Sequence, residues 1–182
     1  MTIPNALTLI RIFLTPVIVW LLLDARLNYA LVVFFIAGLT DGLDGLIARV
    51  FHQKTKLGAY LDPLADKLLL VSSFILLGHL GLVPIWLSVI IVSRDALILL
   101  GLMTLMFHNV AVEIKPSITS KLTTLLQLLT VLVVLSSSYH SLPRWVYSIL
   151  FLFAATFSIA SGLQYVLKGL QLLDARRTNS QP

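Results

Sequence analysis

Asp41, Asp44, Asp62 and Asp66 lie within residues 40–67, TDGLDGLIARVFHQKTKLGAYLDPLADK, in a chain that is otherwise oily. If the backbone is helical as far as Arg49, then Asp41, Asp44, Gly45 and Ala48 fall at offsets of 0, 3, 4 and 7, one stripe of a helix. If the helix resumes near Gly58, then Gly58, Asp62 and Asp66 step by fours along a second stripe. Two such stripes joined by a short loop bring the carboxylates to one place. At the centre of a membrane span each Asp costs roughly 2.5 to 3.5 kcal/mol, so the set costs about 10 kcal/mol before mutual repulsion. Something positive must therefore sit among them. Arg49 and Lys67 supply part of that charge, and on their own they would make the cluster a buried ion-pair brace between two helices. An apolar packing of the same helices would usually be at least as stable, which argues for a ligand instead. Oxygen-only donors suit hard divalent cations, Mg²⁺ first, with Mn²⁺ and Ca²⁺ as alternatives, and four acidic ligands suit two metal ions that grip a diphosphate.

The spacing D-x2-D-G-x2-A-R-x8-G-x3-D-x3-D, from Asp41 to Asp66, resembles the signature of the CDP-alcohol phosphatidyltransferase family at every fixed position and gap. Eight specified positions coincide by chance on the order of once in 10⁹ to 10¹⁰ starting points, so the match is not accidental. The resemblance implies transfer of a phosphatidyl group from CDP-diacylglycerol to an alcohol, with release of CMP. It implies that Asp41, Asp44 and Asp62 hold the metals, while Asp66 shares one and takes the proton of the acceptor hydroxyl. Gly45, Ala48 and Gly58 would let the nucleotide approach the backbone, although small residues also serve plain helix contact in membranes. Arg49 is either a counter-charge for the aspartates or a phosphate ligand. A homodimer is expected from the family alone.

The elements that carry these residues follow from composition. A hydrophobic fraction of 58%, 12% charged residues and a mean hydropathy of +0.98 over 182 residues are too oily for a soluble core of that size. The fold class expected is all-α, a polytopic membrane protein with six transmembrane helices forming one domain over residues 1–182. The spans are read as Leu7–Leu23, Tyr29–Val50, Gly58–His79, Leu82–Phe107, Ile118–Leu135 and Trp145–Leu167, with Lys168–Pro182 a polar tail frayed at its end. The first span is not a secretory signal, since no charged region precedes it and no small-residue cleavage site follows. The motif then straddles the end of the second span and the start of the third, at one membrane face. Arg49, Lys54, Lys56, Lys115, Lys121, Lys168, Arg176 and Arg177 lie on the motif's side, against Arg26 and Arg144 on the other. The positive-inside bias places the motif at the cytoplasmic face, or the equivalent face of an organelle inner membrane. There is no cysteine, hence no disulfide or thiolate site. The net charge of +5 comes without a basic stripe of interleaved aromatics, so membrane lipids and not nucleic acid are the expected partner.

Other polar residues fall into groups. Asn5, Thr8 and Arg11 sit at offsets of 0, 3 and 6 and are candidates for touching the nucleotide or its phosphates. Arg11 has two readings, snorkelling to the headgroups or lining an anion site. Arg94 and Asp95 lie deep in the fourth span; adjacent helical positions point about 100° apart, so different partners are expected for them. Arg94 is read as an acceptor-phosphate ligand, with a structural ion pair as the alternative, and Lys121 as a second anion ligand. His52, His79, His108 and His140 are scattered, and Ser136–Ser138 lack a His and carboxylate that would make a nucleophile. The pattern KP-x3-SK-x2-T-x2-Q from Lys115 to Gln127, SRD at Ser93–Asp95 and IPN-x-L-T-x2-R at the start are similar to the eukaryotic-type cardiolipin synthase branch of the family, which implies phosphatidylglycerol as acceptor. Phosphatidylglycerophosphate synthases, which take glycerol 3-phosphate, look alike but carry a further Arg where this chain has Gly101 and Leu102. Two other classes compete: an intramembrane cation or proton transporter, whose acidic residues would sit in paired broken segments near the midplane, and a scaffold without turnover.

Overall fold

The structure is a computed structural model that describes residues 3–50, 56–107, 118–140 and 142–179, with side chains described over 8–40, 64–101, 119–140, 142–167 and at 169. Among the described residues it consists of helices α1 (Ile3–Leu23), α2 (Leu27–Val50), α3 (Lys56–His79), α4 (Ile85–Phe107), α5 (Ile118–Ser136) and α6 (Arg144–Asn179), with no strand. Helix ends match the apolar periods to within a few residues, as expected where turn chemistry sets the stops. Pro16 lies inside α1 without ending it. The polar turn expected over Asp24–Asn28 closes α1 with paired bonds, Arg26 N to Leu21 O at 2.9 Å and Ala25 N to Leu22 O at 3.0 Å, around Ala25 in the left-handed region at φ 54°. The same device ends α3, where Gly81 takes φ 71° and Leu82 N reaches Leu77 O at 3.0 Å. Glycine adopts that conformation freely; alanine does so at a cost.

One expectation is corrected at the C-terminus. Residues 168–179, expected as part of a polar tail, are helical, for α6 continues to Asn179, and the expected fraying at the very end lies outside the described residues. Leu163, Leu167 and Leu170 keep the helical period, the stretch is built from good helix formers, and Arg176 and Arg177 suit the negative end of the helix dipole.

The helices close into a ring: α1 packs on α2, α2 on α5, α5 on α6, α6 on α4, α4 on α3, and α3 back on α1, with a lesser contact of α3 across to α5. The apolar core fills one half of this ring. Ile18 and Leu22 come from the end of α1, Phe34 from the start of α2, Phe74 and Leu77 from the end of α3, Leu87 and Ile91 from the start of α4, Leu135 from the end of α5 and Ala154 from α6. The α3–α4 approach is close enough that a methyl on Gly78 would lie 2.7 Å from Ser88 Oγ, which itself donates to Phe74 O at 2.7 Å. The outward faces are apolar as well, including Phe13, Val32, Phe35, Ile75, Val89, Leu97, Leu129, Phe153 and Leu163. By length and composition, Thr119–Ser136 and Arg144–Leu167 can each cross a membrane, and Thr8–Leu23 and Leu27–Thr40 are shorter apolar stretches among the described residues. The full set of six spans is therefore met by this criterion in two helices; α3 and α4 carry Asp66–Lys67 and Arg94–Asp95 inside their apolar runs.

Candidate active site

Polar side chains occupy the half of the ring opposite the apolar core. α1 contributes Thr8 and Arg11, both buried, from its first half. α2 carries Asp41, Asp44, Gly45, Ala48 and Arg49 on its last turns, and α3 carries Gly58, Asp62 and Asp66 on its first. Five residues separate the two helices, so the halves of the motif lie within reach of each other. The side chains of Asn5, Asp41, Asp44, Gly45, Ala48, Arg49, Gly58 and Asp62 lie outside the described residues. Among the described residues no three His, Cys, Asp or Glu side chains gather at a metal-binding distance. All four motif aspartates lie on the last turns of α2 and the first turns of α3, and an oxygen-only donor set of this kind fits a hard divalent cation.

Asp66 is described in full. Its Oδ1 accepts an ion-paired hydrogen bond from Arg11 Nη1 of α1; the Arg11 side chain is 0% exposed and that of Asp66 30% exposed. Arg11 thus does not snorkel to a surface, because a guanidinium buried this deeply is tolerated only against a carboxylate. Beside the pair is a crevice of about 10 Å³ lined in part by Arg11, Asp66, Gly38 and Thr124, room for a single water.

A second cluster begins one residue further on. Lys67 Nζ donates to Asp95 Oδ1 at 2.7 Å, and Arg94 Nη1 donates to the same oxygen at 2.6 Å. Arg94 Nη2 donates to Ser161 Oγ of α6 at 2.6 Å and to Ser120 Oγ of α5 at 3.0 Å. Among the described residues Lys67 therefore pairs directly with Asp95, where its position in the sequence also offered it to the motif aspartates. Arg94 and Asp95 do take different partners, Ser120 and Ser161 for the one and Lys67 for the other, and they also bond to each other, because the long arginine side chain bends back across the 100° between them. Asp95 Oδ2 and Arg94 Nε remain buried without a hydrogen-bond partner. Two cations share one anion, leaving the cluster with a net positive charge in a buried place. A methyl on Gly162 would meet Arg94 Cγ at 3.4 Å, an ordinary van der Waals contact, so α6 packs directly on the arginine stem here. Lys121 is exposed on α5, one position round from Ser120, and stands apart from this cluster.

The sequence reading missed Ser158, Ser161 and Thr123. Thr123 Oγ1 donates to Phe157 O at 3.0 Å, and Gln127 Nε2 to Ser158 Oγ at 3.2 Å, so hydroxyls and an amide join α5 to α6. The available signal was the spacing of Ser158, Ser161 and Gly162 on one stripe of an apolar span, the small-residue and polar contact that joins membrane helices.

Comparison with known proteins gives the family. The family model for CDP-alcohol phosphatidyltransferase matches residues 1–160. The chain is 35% identical over 181 residues to a cardiolipin synthase (CMP-forming) of Homo sapiens, covering 90% of this chain and 60% of that protein. The corresponding protein of Rattus norvegicus is 36% identical over 181 residues, with the same coverage. The chain thus spans about 60% of the length of these two relatives. A CDP-diacylglycerol--glycerol-3-phosphate 3-phosphatidyltransferase of Bacillus subtilis is 31% identical over 190 residues, covering 93% of this chain and 96% of that protein. With the family model reaching from α1 into α6 and a bacterial relative aligned along almost its whole length, the chain belongs to the CDP-alcohol phosphatidyltransferase family.

Proposed function

We propose that this chain is a multi-pass membrane enzyme, one domain over residues 1–182 with six spans, that transfers the phosphatidyl group of CDP-diacylglycerol to phosphatidylglycerol, giving cardiolipin and CMP. The observation that carries the reading is the eight-position match from Asp41 to Asp66, divided between the end of α2 and the start of α3. Asp41, Asp44, Asp62 and Asp66 would hold two divalent ions, Mg²⁺ by preference, which when bound supply positive charge against the oxygens entering and leaving the phosphorus. Asn5, Thr8, Gly45, Ala48, Arg49 and Gly58 form the seat of the CDP-diacylglycerol. The acceptor hydroxyl attacks the β-phosphorus in line; its O–P bond forms as the P–O bond to CMP breaks, and the hydroxyl proton passes to Asp66. Arg94 and Lys121 meet the acceptor's phosphate, the former through the excess positive charge that Lys67 and Arg94 hold over Asp95. The site faces the cytoplasm or the equivalent compartment, and the working unit is a homodimer.

One observation favours a second acceptor, glycerol 3-phosphate: the Bacillus subtilis relative is matched over 96% of its length, against 60% for the two mammalian cardiolipin synthases. The deciding experiment supplies the purified protein in mixed micelles with CDP-diacylglycerol, Mg²⁺ and either phosphatidylglycerol or glycerol 3-phosphate, alone and in competition, and measures CMP and lipid product. Cardiolipin as the main product upholds the first reading. Exclusive use of glycerol 3-phosphate replaces it with the second. A cation flux in proteoliposomes with no CMP release under any condition would move the chain to the transporter class.

A further inference from the structure

We propose that Arg11 is a positioning residue for Asp66: from α1 it holds the carboxylate that receives the acceptor's proton, and it is not a ligand of the nucleotide. The inference rests on the reading of Asp66 as proton acceptor. Three observations carry it. The exposures are asymmetric, since Arg11 is fully buried while Asp66 keeps 30% of its side chain exposed. An arginine awaiting an incoming diphosphate would be the accessible member of such a pair; here the cation lies behind and the carboxylate in front. The crevice beside the pair has room for about one water, too little for a phosphate group to reach the guanidinium from that side. Finally, the next residue is tied the other way, with Lys67 bonded to Asp95 of α4 at 2.7 Å. Consecutive residues of α3 are thus gripped by charges of opposite sign from α1 and α4. The second grip holds the backbone of α3, so that the first can set the direction of the Asp66 side chain. A guanidinium suits the task because its planar fork fixes a carboxylate's orientation, where the ammonium of lysine offers only a point charge.

The test uses the full chain purified in detergent, with Arg11→Lys, Arg11→Gln, Asp66→Asn and the double variant Arg11→Gln/Asp66→Asn. CMP release gives kcat and KM for CDP-diacylglycerol, and unfolding temperature gives a readout independent of turnover. Arg11→Gln is expected to lower kcat about 100-fold with KM changed less than about threefold, and Arg11→Lys to restore about a tenth or more of the wild-type kcat. The double variant should be no slower than Asp66→Asn alone, and should recover part of the unfolding temperature lost in Arg11→Gln, because the carboxylate that Arg11 faced is removed with it. If Arg11→Gln does not fold, Arg11→Lys and the double variant carry the same comparison. A tenfold rise in KM with kcat retained would make Arg11 a nucleotide ligand and overturn the proposal. Additive losses in the double variant would overturn it too, while leaving the role of Asp66 intact. Normal turnover by Asp66→Asn would instead remove the role of Asp66 itself, and the proposal with it.

Discussion

At the scale of single residues, charge is placed where its partner has been built. Asp66 is the motif aspartate whose side chain is described, and its contact with Arg11 fits a carboxylate held in one orientation. Asp66→Asn is expected to lower the unfolding temperature, since buried Arg11 loses a charged partner, but to leave a folded protein whose kcat falls by about 10² to 10⁴, the usual contribution of a general base; CMP release from a monodisperse preparation checks it. A residue far from the site gives a stability prediction of opposite sign. Ala25 sits at φ 54° in the turn after α1, where an L-residue costs roughly 1 to 2 kcal/mol and glycine adds roughly 0.5 to 1 kcal/mol of chain entropy. Ala25→Gly should therefore stabilise the protein by about 0.5 to 1 kcal/mol, seen as a higher unfolding temperature with unchanged turnover.

Between elements, two contacts decide how the helices are set. The first is the ion cluster, in which α3, α4, α5 and α6 meet through Lys67, Asp95, Arg94, Ser120 and Ser161. The side chains of Arg94 and Asp95 are only 4% and 3% exposed, so removing the one anion strands a buried cation. Asp95→Ala should cost about 3 to 5 kcal/mol, enough to shift thermal unfolding by many degrees. The second contact is Gly78 against Ser88. Gly78→Ala puts a methyl 2.7 Å from Ser88 Oγ, which is already committed to Phe74 O, and is expected to cost about 1 to 3 kcal/mol. Adding Ser88→Ala should recover most of that loss, since it removes the atom in the way; no recovery would mean that α3 and α4 do not meet in this register.

For the whole molecule, the ring separates an apolar half from a polar half along the helix axes. Trp20, Tyr29, Trp86, Tyr139 and Trp145 are all exposed at the helix ends of the apolar half, as expected of aromatic anchors at a membrane interface. Because the chain has no cysteine, its orientation can be tested by single-cysteine labelling in sealed vesicles. Lys54→Cys should react from the cytoplasmic side only and His140→Cys from the opposite side only; labelling of both from one side would contradict the six-span topology. Chelation of divalent ions should abolish CMP release, and Mg²⁺ should restore it.

The sequence by itself determined the helices and the family, and it carries the motif on which the proposed ligand chemistry rests. Each is written in local spacing: apolar runs of span length, Asp and Gly at offsets of three and four, and gaps that a chain of fixed rise turns into shared faces. Only the tertiary structure decided which charge meets which. Arg11 and Asp66 are 55 positions apart, and Lys67 and Asp95 are 28 apart. Charge type alone offered Lys67 to the motif without naming Asp95 as its partner, and left Arg11 between a lipid surface and an anion. The choice was made by the ring of helices, which sets α1 and α4 against different faces of α3, and so gives consecutive residues of one helix partners of opposite sign on opposite sides.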